Sequence, residues 1–258
     1  MQPNRQTTNQ REEEILRVVR LSGGSCRVSY LADRLGVSNE TIRRNVRSLE
    51  ESAIVRKVHG GVHLVEDIHE APLMNRMDIH ADAKERLASA VAETISDGDS
   101  LFLDIGSTTA YVALALRQRR DLYVVTNSVF VAQTLATRNN NRVFLAGGEL
   151  RPHDGGAFGS EALDFIRRFN VQFAILSVGA VNSELGFMLH DLEEANVAHV
   201  ASQNAQVRIV VADSEKFNKR APVSLKHSDK IDVLYTDTAP PKNITKMLEE
   251  NDIEVVVP

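Results

Sequence analysis

"SLFLDIGSTTAYVALAL", Ser100 to Leu116, is the stretch on which the reading of the fold turns. An apolar run of strand length ends at Asp104. Four small residues, Gly106-Ser107-Thr108-Thr109, lead into an apolar segment of helical length. Strand, tight turn and helix are the opening of a βαβ unit. At such a helix start, unpaired N–H groups and the positive helix end attract anions, and the hydroxyls add donors. No Gly-Lys-Ser/Thr follows, and the spacing is not a dinucleotide fingerprint, so nucleotide hydrolysis has no support here. Taken alone, the stretch equally fits plain N-capping by Ser107 or Thr108.

Outward from this unit, further apolar runs recur: "LYVVT", "RVFLA", "FAILSVGAV", "VRIVVA", "DVLYTD" and "IEVVV". Helical stretches separate most of them, and a helix over about 81–96 precedes the first strand. This alternation predicts an α/β domain with a mostly parallel sheet covered on both faces. In an open α/β sheet, ligands bind in a crevice outside the carboxyl ends of the strands. That rule gathers Thr126 and Asn127 of "VVTNS", Gly147 and Gly148 of "FLAGGEL", Gly179 of "SVGAV", and Asp213 and Lys216 of "VVADSEKF". Each alone reads as a cap, a turn or a surface pair; four such strand ends in one sheet point to a binding site.

The N-terminal part has a different pattern. "REEEILRVVRLS" (Arg11 to Ser22) carries Ile15, Val18 and Val19 at helical spacing, and "VSYLADRLG" (Val28 to Gly36) carries Leu31, Ala32 and Leu35. Gly36-Val37-Ser38 makes a turn, with Ser38 as N-cap of a third helix. There Ile42, Val46 and Leu49 face inward, leaving Arg43, Arg44 and Arg47 on the opposite side. Two β-rich runs around Gly60-Gly61 follow as a hairpin. Together these predict a winged helix-turn-helix over 1–65. Ser38, Thr41, Arg43, Arg44, Arg47 and, on the wing, Arg56, Lys57 and His59 are the candidate DNA-contacting residues. Residues 66–80, without a clear period and containing Pro72, are expected to be a linker to a domain over 81–258.

Charge follows the same division. The chain of 258 residues has net charge −5, yet residues 1–65 hold 11 Lys+Arg against 7 Asp+Glu, and the remainder 19 against 28. A basic head on an acidic body suits a nucleic-acid reader joined to a sensor. Aromatic residues are 5% with no Trp, which disfavours a base-stacking platform. The polar first residues argue against a signal peptide, no apolar run approaches a membrane span, and Cys26 stands alone. A cytoplasmic protein without an internal disulfide is expected. The eight histidines show no metal-ligand spacing, so neither metal nor cofactor is expected.

"TIRRNVRSLEESAIVRKVHGGV" resembles the hallmark of the DeoR/GlpR family of bacterial transcription regulators, usually close to T-I-R-R-D-L and then R-x-H-G-G. The C-terminal series D-x-G-S-T, T-N-S, G-G and D-x-E-K resembles the same family in the same order. The resemblance runs from about Arg11 to Lys216, with departures at Asn45, where the family has Asp, and at Ala198, where it has Lys. It implies a sensor domain with the fold of ribose-5-phosphate isomerase that responds to phosphorylated sugars or related metabolites. On that basis Gly106 to Thr109 would hold the phosphate, and Asp104, Asn127, Glu194 and Lys216 would approach the sugar end. Lys84 matches a family lysine. The expected function is a repressor of a carbohydrate or polyol operon, acting as a homodimer or homotetramer on operator DNA. A sugar-phosphate isomerase or hydrolase with a DNA-binding head is the alternative.

Overall fold

A computed structural model describes residues 9–22, 25–52, 54–58, 60–64 and 72–258. Two compact units, Met1–His69 and Glu70–Pro258, divide the chain.

The first unit contains α1 (Gln10–Leu21), β1 (Ser25–Arg27), α2 (Val28–Leu35), α3 (Asn39–Glu51), β2 (Val55–Val58) and β3 (Gly61–Leu64). Its core holds most of the set the helical periods place inward: Ile15 and Val19 from α1, Leu31 and Ala32 from α2, and Ile42, Val46 and Leu49 from α3; Val18 and Leu35 are only partly buried at its edge, and Leu16 joins it. Val55 and Val62 of the hairpin close it from below. Each fully buried aliphatic side chain contributes about 1.5–3 kcal/mol, which a unit of this size needs to offset its backbone entropy. The sequence did not signal β1. Three residues carry too little pattern to stand out, and pairing with β3 is what makes them a strand, with Cys26 opposite Val62 and Arg27 opposite Gly61. The Cys26 thiol is half-buried, and burial pushes its pKa up.

The two glycines of the wing have separate jobs. Gly60 has φ 71°, a left-handed turn conformation that side chains resist. Gly61 is needed for proximity: a Cβ there would lie 2.7 Å from the Cys26 carbonyl oxygen.

In the second unit, α4 (Leu73–Met77) and α5 (Ala81–Thr94) precede the sheet. Then come β4 (Ser100–Leu103), α6 (Ser107–Ala115), β5 (Tyr123–Thr126), α7 (Val129–Leu135), β6 (Arg142–Leu145), α8 (Ser160–Ile166) and β7 (Val171–Ser177). After these follow β8 (Ala180–Asn182), β9 (Gly186–Leu189), α9 (Leu192–Gln203), β10 (Ala205–Val211), β11 (Val223–Ser224), β12 (Val233–Tyr235), α10 (Lys242–Glu250) and β13 (Glu254–Val256). The stretch 66–80, expected as a linker, is described from Pro72 onward. Within it α4 buries Leu73, whose N–H donates to the His153 carbonyl at 3.0 Å.

Seven strands form one sheet in the order β13-β12-β10-β7-β4-β5-β6, and every pairing in it is parallel. Alternation along the strands supplies a core on each face. Phe102, Val125, Ala174, Leu176 and Val210 pack with residues of α8, α9 and α10. Leu101, Leu103, Val124, Ile175 and Ile209 pack with residues of α5 and α6. The expected α/β fold, a winged helix-turn-helix followed by a mostly parallel sheet, is the observed one.

"FAILSVGAV" departs from the expectation of one strand. β7 ends at Ser177, and β8 starts a separate antiparallel sheet ordered β11-β9-β8. The chain breaks at Gly179, whose N–H bonds the Met188 carbonyl at 2.8 Å and where a Cβ would meet the His190 ring at 2.6 Å.

Gly61→Ala should cost the first unit about 1–3 kcal/mol, because the new methyl meets backbone that cannot turn aside. Denaturant unfolding of the full chain reads this as a lower midpoint for that unit. An unchanged midpoint contradicts the β1–β3 register.

Candidate functional site

The basic face of the first unit is built by the turn between α2 and α3. Gly36, at φ 64°, ends α2 by donating its N–H to the Ala32 carbonyl, and Val37 donates to the same oxygen at 3.0 Å. Ser38 then caps α3, its Oγ accepting the Thr41 N–H at 3.2 Å. The cap sets the rotation of α3 so that Arg43, Arg44 and Arg47 stand exposed while Ile42, Val46 and Leu49 are buried. Ser38, Thr41 and the three arginines border one shallow depression. Arg43 lies 3.8 Å from Glu40, and both are largely exposed, so the pair contributes about 0–1 kcal/mol and leaves the guanidinium available.

Two candidates are otherwise engaged. The Thr41 hydroxyl hydrogen-bonds the Ser38 hydroxyl at 3.0 Å. Lys57 is held by Glu50: its N–H donates to Oε1 at 3.0 Å and its Nζ sits 2.8 Å from Oε2. These contacts lower the Glu50 carboxyl pKa and tie the wing to the end of α3. Arg56 is exposed on β2, and His59 lies outside the described residues. Asn45 is buried, donating from Nδ2 to the Thr41 carbonyl at 2.8 Å and accepting from Asn9 Nδ2 at 3.4 Å. Asn9 in turn shares a reciprocal capping box with Glu12 at the start of α1.

In the second unit the sheet order fixes where a crevice can open. The chain runs from β4 to β5 and β6 on one side, and β7, β10, β12 and β13 lie on the other. The switch point is therefore between β4 and β7, the place the crevice rule selects. A cavity of about 190 Å³ lies there. Asp104 and Ile105 after β4 line its base with Ser177, Val178 and Gly179 after β7. Ser107 and Thr108 at the start of α6 form one wall, joined by Arg76, His80 and Lys84 from α4 and α5. Asp154, Glu194, Asp213, Glu215, Lys216 and Lys219 surround the remainder.

The α6 start is free for an anion in the sense the sequence could not decide. Its N-cap is Gly106, and no side chain caps it. Ala110 makes the first helical bond, to the Gly106 carbonyl at 2.9 Å, so the N–H groups of Ser107, Thr108 and Thr109 precede the intrahelical pattern. The Thr109 hydroxyl bonds back to the Gly106 carbonyl at 3.1 Å. Gly106 cannot be replaced: its φ is 155°, and a Cβ would meet Ser177 Oγ at 2.3 Å. Lys84 is buried and donates to the Arg76 carbonyl at 2.6 Å.

The structure thus brings together Lys84, Asp104, Ser107, Thr108, Gly179, Glu194, Asp213 and Lys216 of the candidate residues. Gly106 and Thr109 shape the loop behind the wall without facing the cavity. Thr126 stitches strands, donating to the Leu103 carbonyl at 2.6 Å and accepting the Ser128 N–H at 3.0 Å. Asn127 is wholly buried beside it, with neither amide atom hydrogen-bonded, and does not line the cavity. Gly147 and Gly148 are exposed after the edge strand β6, away from the switch point. Arg76, His80, Asp154, Ser177, Glu215 and Lys219 are lining residues that sequence reading missed. Arg76, His80, Asp154 and Lys219 sit in stretches with no motif of their own, while Ser177 and Glu215 are unmarked positions within stretches that the sequence did signal; only the sheet topology collects all six.

The Asp104 carboxyl is strongly perturbed. Burial raises its pKa well above the usual carboxylate range, and the nearby Glu194 charge adds to this. Hydrogen bonds from the backbone of Ile105 and Ser177, and the charge of Arg151, pull the other way without cancelling it. Among the described residues no His, Cys, Asp and Glu cluster could hold a metal, and no helix is long and apolar enough to cross a membrane.

A raised native pKa means the folded state holds its proton longer than the unfolded chain. The stabilising effect of that proton is full below about pH 4 and is lost as pH rises through the raised value. Asp104→Asn should therefore melt with the parent below about pH 4 and increasingly above it as pH rises toward 8. Melting temperatures that keep a constant gap over that range contradict a buried, proton-holding Asp104.

Residues 11–67 match the model of the DeoR-like helix-turn-helix domain, and residues 79–238 that of the DeoR C terminal sensor domain. The glycerol-3-phosphate regulon repressor of Escherichia coli (strain K12) is 35% identical over 246 residues, 95% of this chain and 97% of that one. The HTH-type transcriptional repressor CsqR of the same organism is 32% identical, over 98% of this chain and 96% of that one. A solved D-ribose-5-phosphate isomerase in complex with phospho-erythronic acid matches 53% of this chain and 54% of its own, at 17% identity and TM-score 0.40.

Proposed function

The chain belongs to the DeoR family of transcription regulators, and from that premise we propose that it is a repressor switched by a small phosphorylated sugar or polyol. The head binds operator DNA with Arg43, Arg44 and Arg47 in the major groove and Arg56 on the wing. The effector lies in the cavity between β4 and β7. The observation that carries this reading is the polarity of that cavity. One wall offers the uncapped start of α6, the hydroxyls of Ser107 and Thr108 and the ammonium of Lys84, a set suited to phosphate. The same lining offers the carboxylates of Asp154 and Glu194, which accept hydrogen bonds from sugar hydroxyls. Full-length similarity to proteins named as repressors supports the direction of regulation.

A 100-fold change in operator affinity requires about 2.7 kcal/mol of coupling between effector and DNA. A few phosphate hydrogen bonds made in only one arrangement of the protein supply that. A head with one short reading helix gains affinity from a second copy, so a homodimer or homotetramer on repeated half-sites is part of the proposal.

Arg44→Ala and Arg43→Ala should each weaken binding to operator DNA selected from random duplexes by about 1–3 kcal/mol and leave effector affinity unchanged. Gel-shift titration reads the first and calorimetry the second; unweakened binding removes α3 from the DNA interface. Thr108→Ala should keep operator affinity and blunt release by phosphorylated sugars or polyols. A full response from that variant argues against the α6 start as phosphate site. Steady turnover of ribose 5-phosphate by the purified chain would favour the isomerase alternative instead.

A further inference from the structure

Arg151 does not line the cavity, yet it holds two of the carboxylates that do. Its Nη2 is 2.5 Å from Asp154 Oδ2, and its Nε lies 3.2 and 3.1 Å from the two Asp154 oxygens, a bidentate fork. The same Nη2 donates to Glu194 Oε1, and Nη1 is 3.7 Å from Asp191. The guanidinium carbon stacks 4.2 Å over the Phe158 ring, which fixes the plane of the fork. The pairs are far from solvent: the Asp154 side chain is 1% exposed, Glu194 12% and Arg151 19%. At that burial, charge is weakly screened, and an unpaired carboxylate facing the cavity would repel an anion strongly.

Resting on the reading of this cavity as a phosphate-ester site, we propose that Arg151 is the positioning residue that makes it accept an anion. Its one positive charge offsets one of the two wall carboxylates, and its fork aims both as fixed acceptors for the effector's hydroxyls. Lys84 and the α6 start then meet the phosphate against a wall of reduced negative charge. Without Arg151 the wall of Asp154 and Glu194 gains one unit of net negative charge, and the phosphate is disfavoured by charge although every group that touches it is intact. Arg151 thus selects for a ligand that is anionic at one end and hydroxylated at the other.

The test is calorimetric titration of the full chain with inorganic phosphate at fixed pH, with melting curves to confirm folding. Arg151→Gln should weaken phosphate binding by about tenfold or more, and the double variant R151Q/E194Q should recover most of the loss. Glu194→Gln alone, which leaves Arg151 with less to offset, should bind phosphate more tightly than the parent. This second variant carries the test if Arg151→Gln does not fold. Parental phosphate affinity in Arg151→Gln, a loss that the double variant does not recover, or no gain in Glu194→Gln overturns the proposal. A parent chain that binds neither inorganic phosphate nor any sugar phosphate overturns the reading of the cavity itself, and the role of Arg151 with it.

Discussion

The contact of Gly106 with Ser177 is the constraint on which the second unit's site depends. β4 and β7 lie side by side in a parallel ladder, so their chains leave the sheet at the same edge. A crevice opens between the two exits only if the first loop can pass over the end of β7 without a side chain. Gly106 does this with Ser177 Oγ occupying the space a Cβ would need, while that same Oγ donates to the Ile105 carbonyl at 2.9 Å. The loop is therefore pinned from below, and α6 starts where its first N–H groups face the crevice. The uncapped α6 start beside the crevice is a consequence of strand packing.

Charge in the crevice obeys a second constraint. Carboxylates outnumber what a phosphate could tolerate unless most are compensated where they stand. Arg151 compensates the wall of Asp154 and Glu194 through an ion-pair cluster. Asp104, at the base, has its carboxyl pKa raised by burial instead. The Asp213 carboxylate caps its own short turn by accepting the Glu215 N–H at 3.1 Å. These four carboxylates thus have three environments, the separation that the proposed phosphate site beside acidic groups requires.

In the first unit the same economy of contacts sets the reading face. Ser38 fixes the start of α3, the buried Ile42, Val46 and Leu49 fix its rotation, and Glu50 fastens the wing through Lys57. Three exposed arginines are what these contacts leave outward. Asn45, where the resembling family has an acid, is accommodated by Asn9 and the Thr41 carbonyl, two partners that suit an amide.

The amino-acid sequence by itself determined the elements whose patterns repeat. Helical spacing of Ile42, Val46 and Leu49, the Ser38 cap, and seven apolar runs, most of them separated by helices, were each legible because a local period reports which face is buried. The α6 start was legible for the same reason, since its small residues and hydroxyls adjoin in the chain. Tertiary structure alone decided which strand ends met. It placed Gly147 and Gly148 outside the cavity, because β6 is an edge strand, made Thr126 a joint between β4 and β5, and buried Asn127 beside it. It brought in Arg76, His80 and Asp154 from stretches without a motif, and joined Arg151 and its near neighbour Asp154 to Glu194, 43 residues further on. Strand order is fixed by packing across the whole sheet, and no local period encodes it.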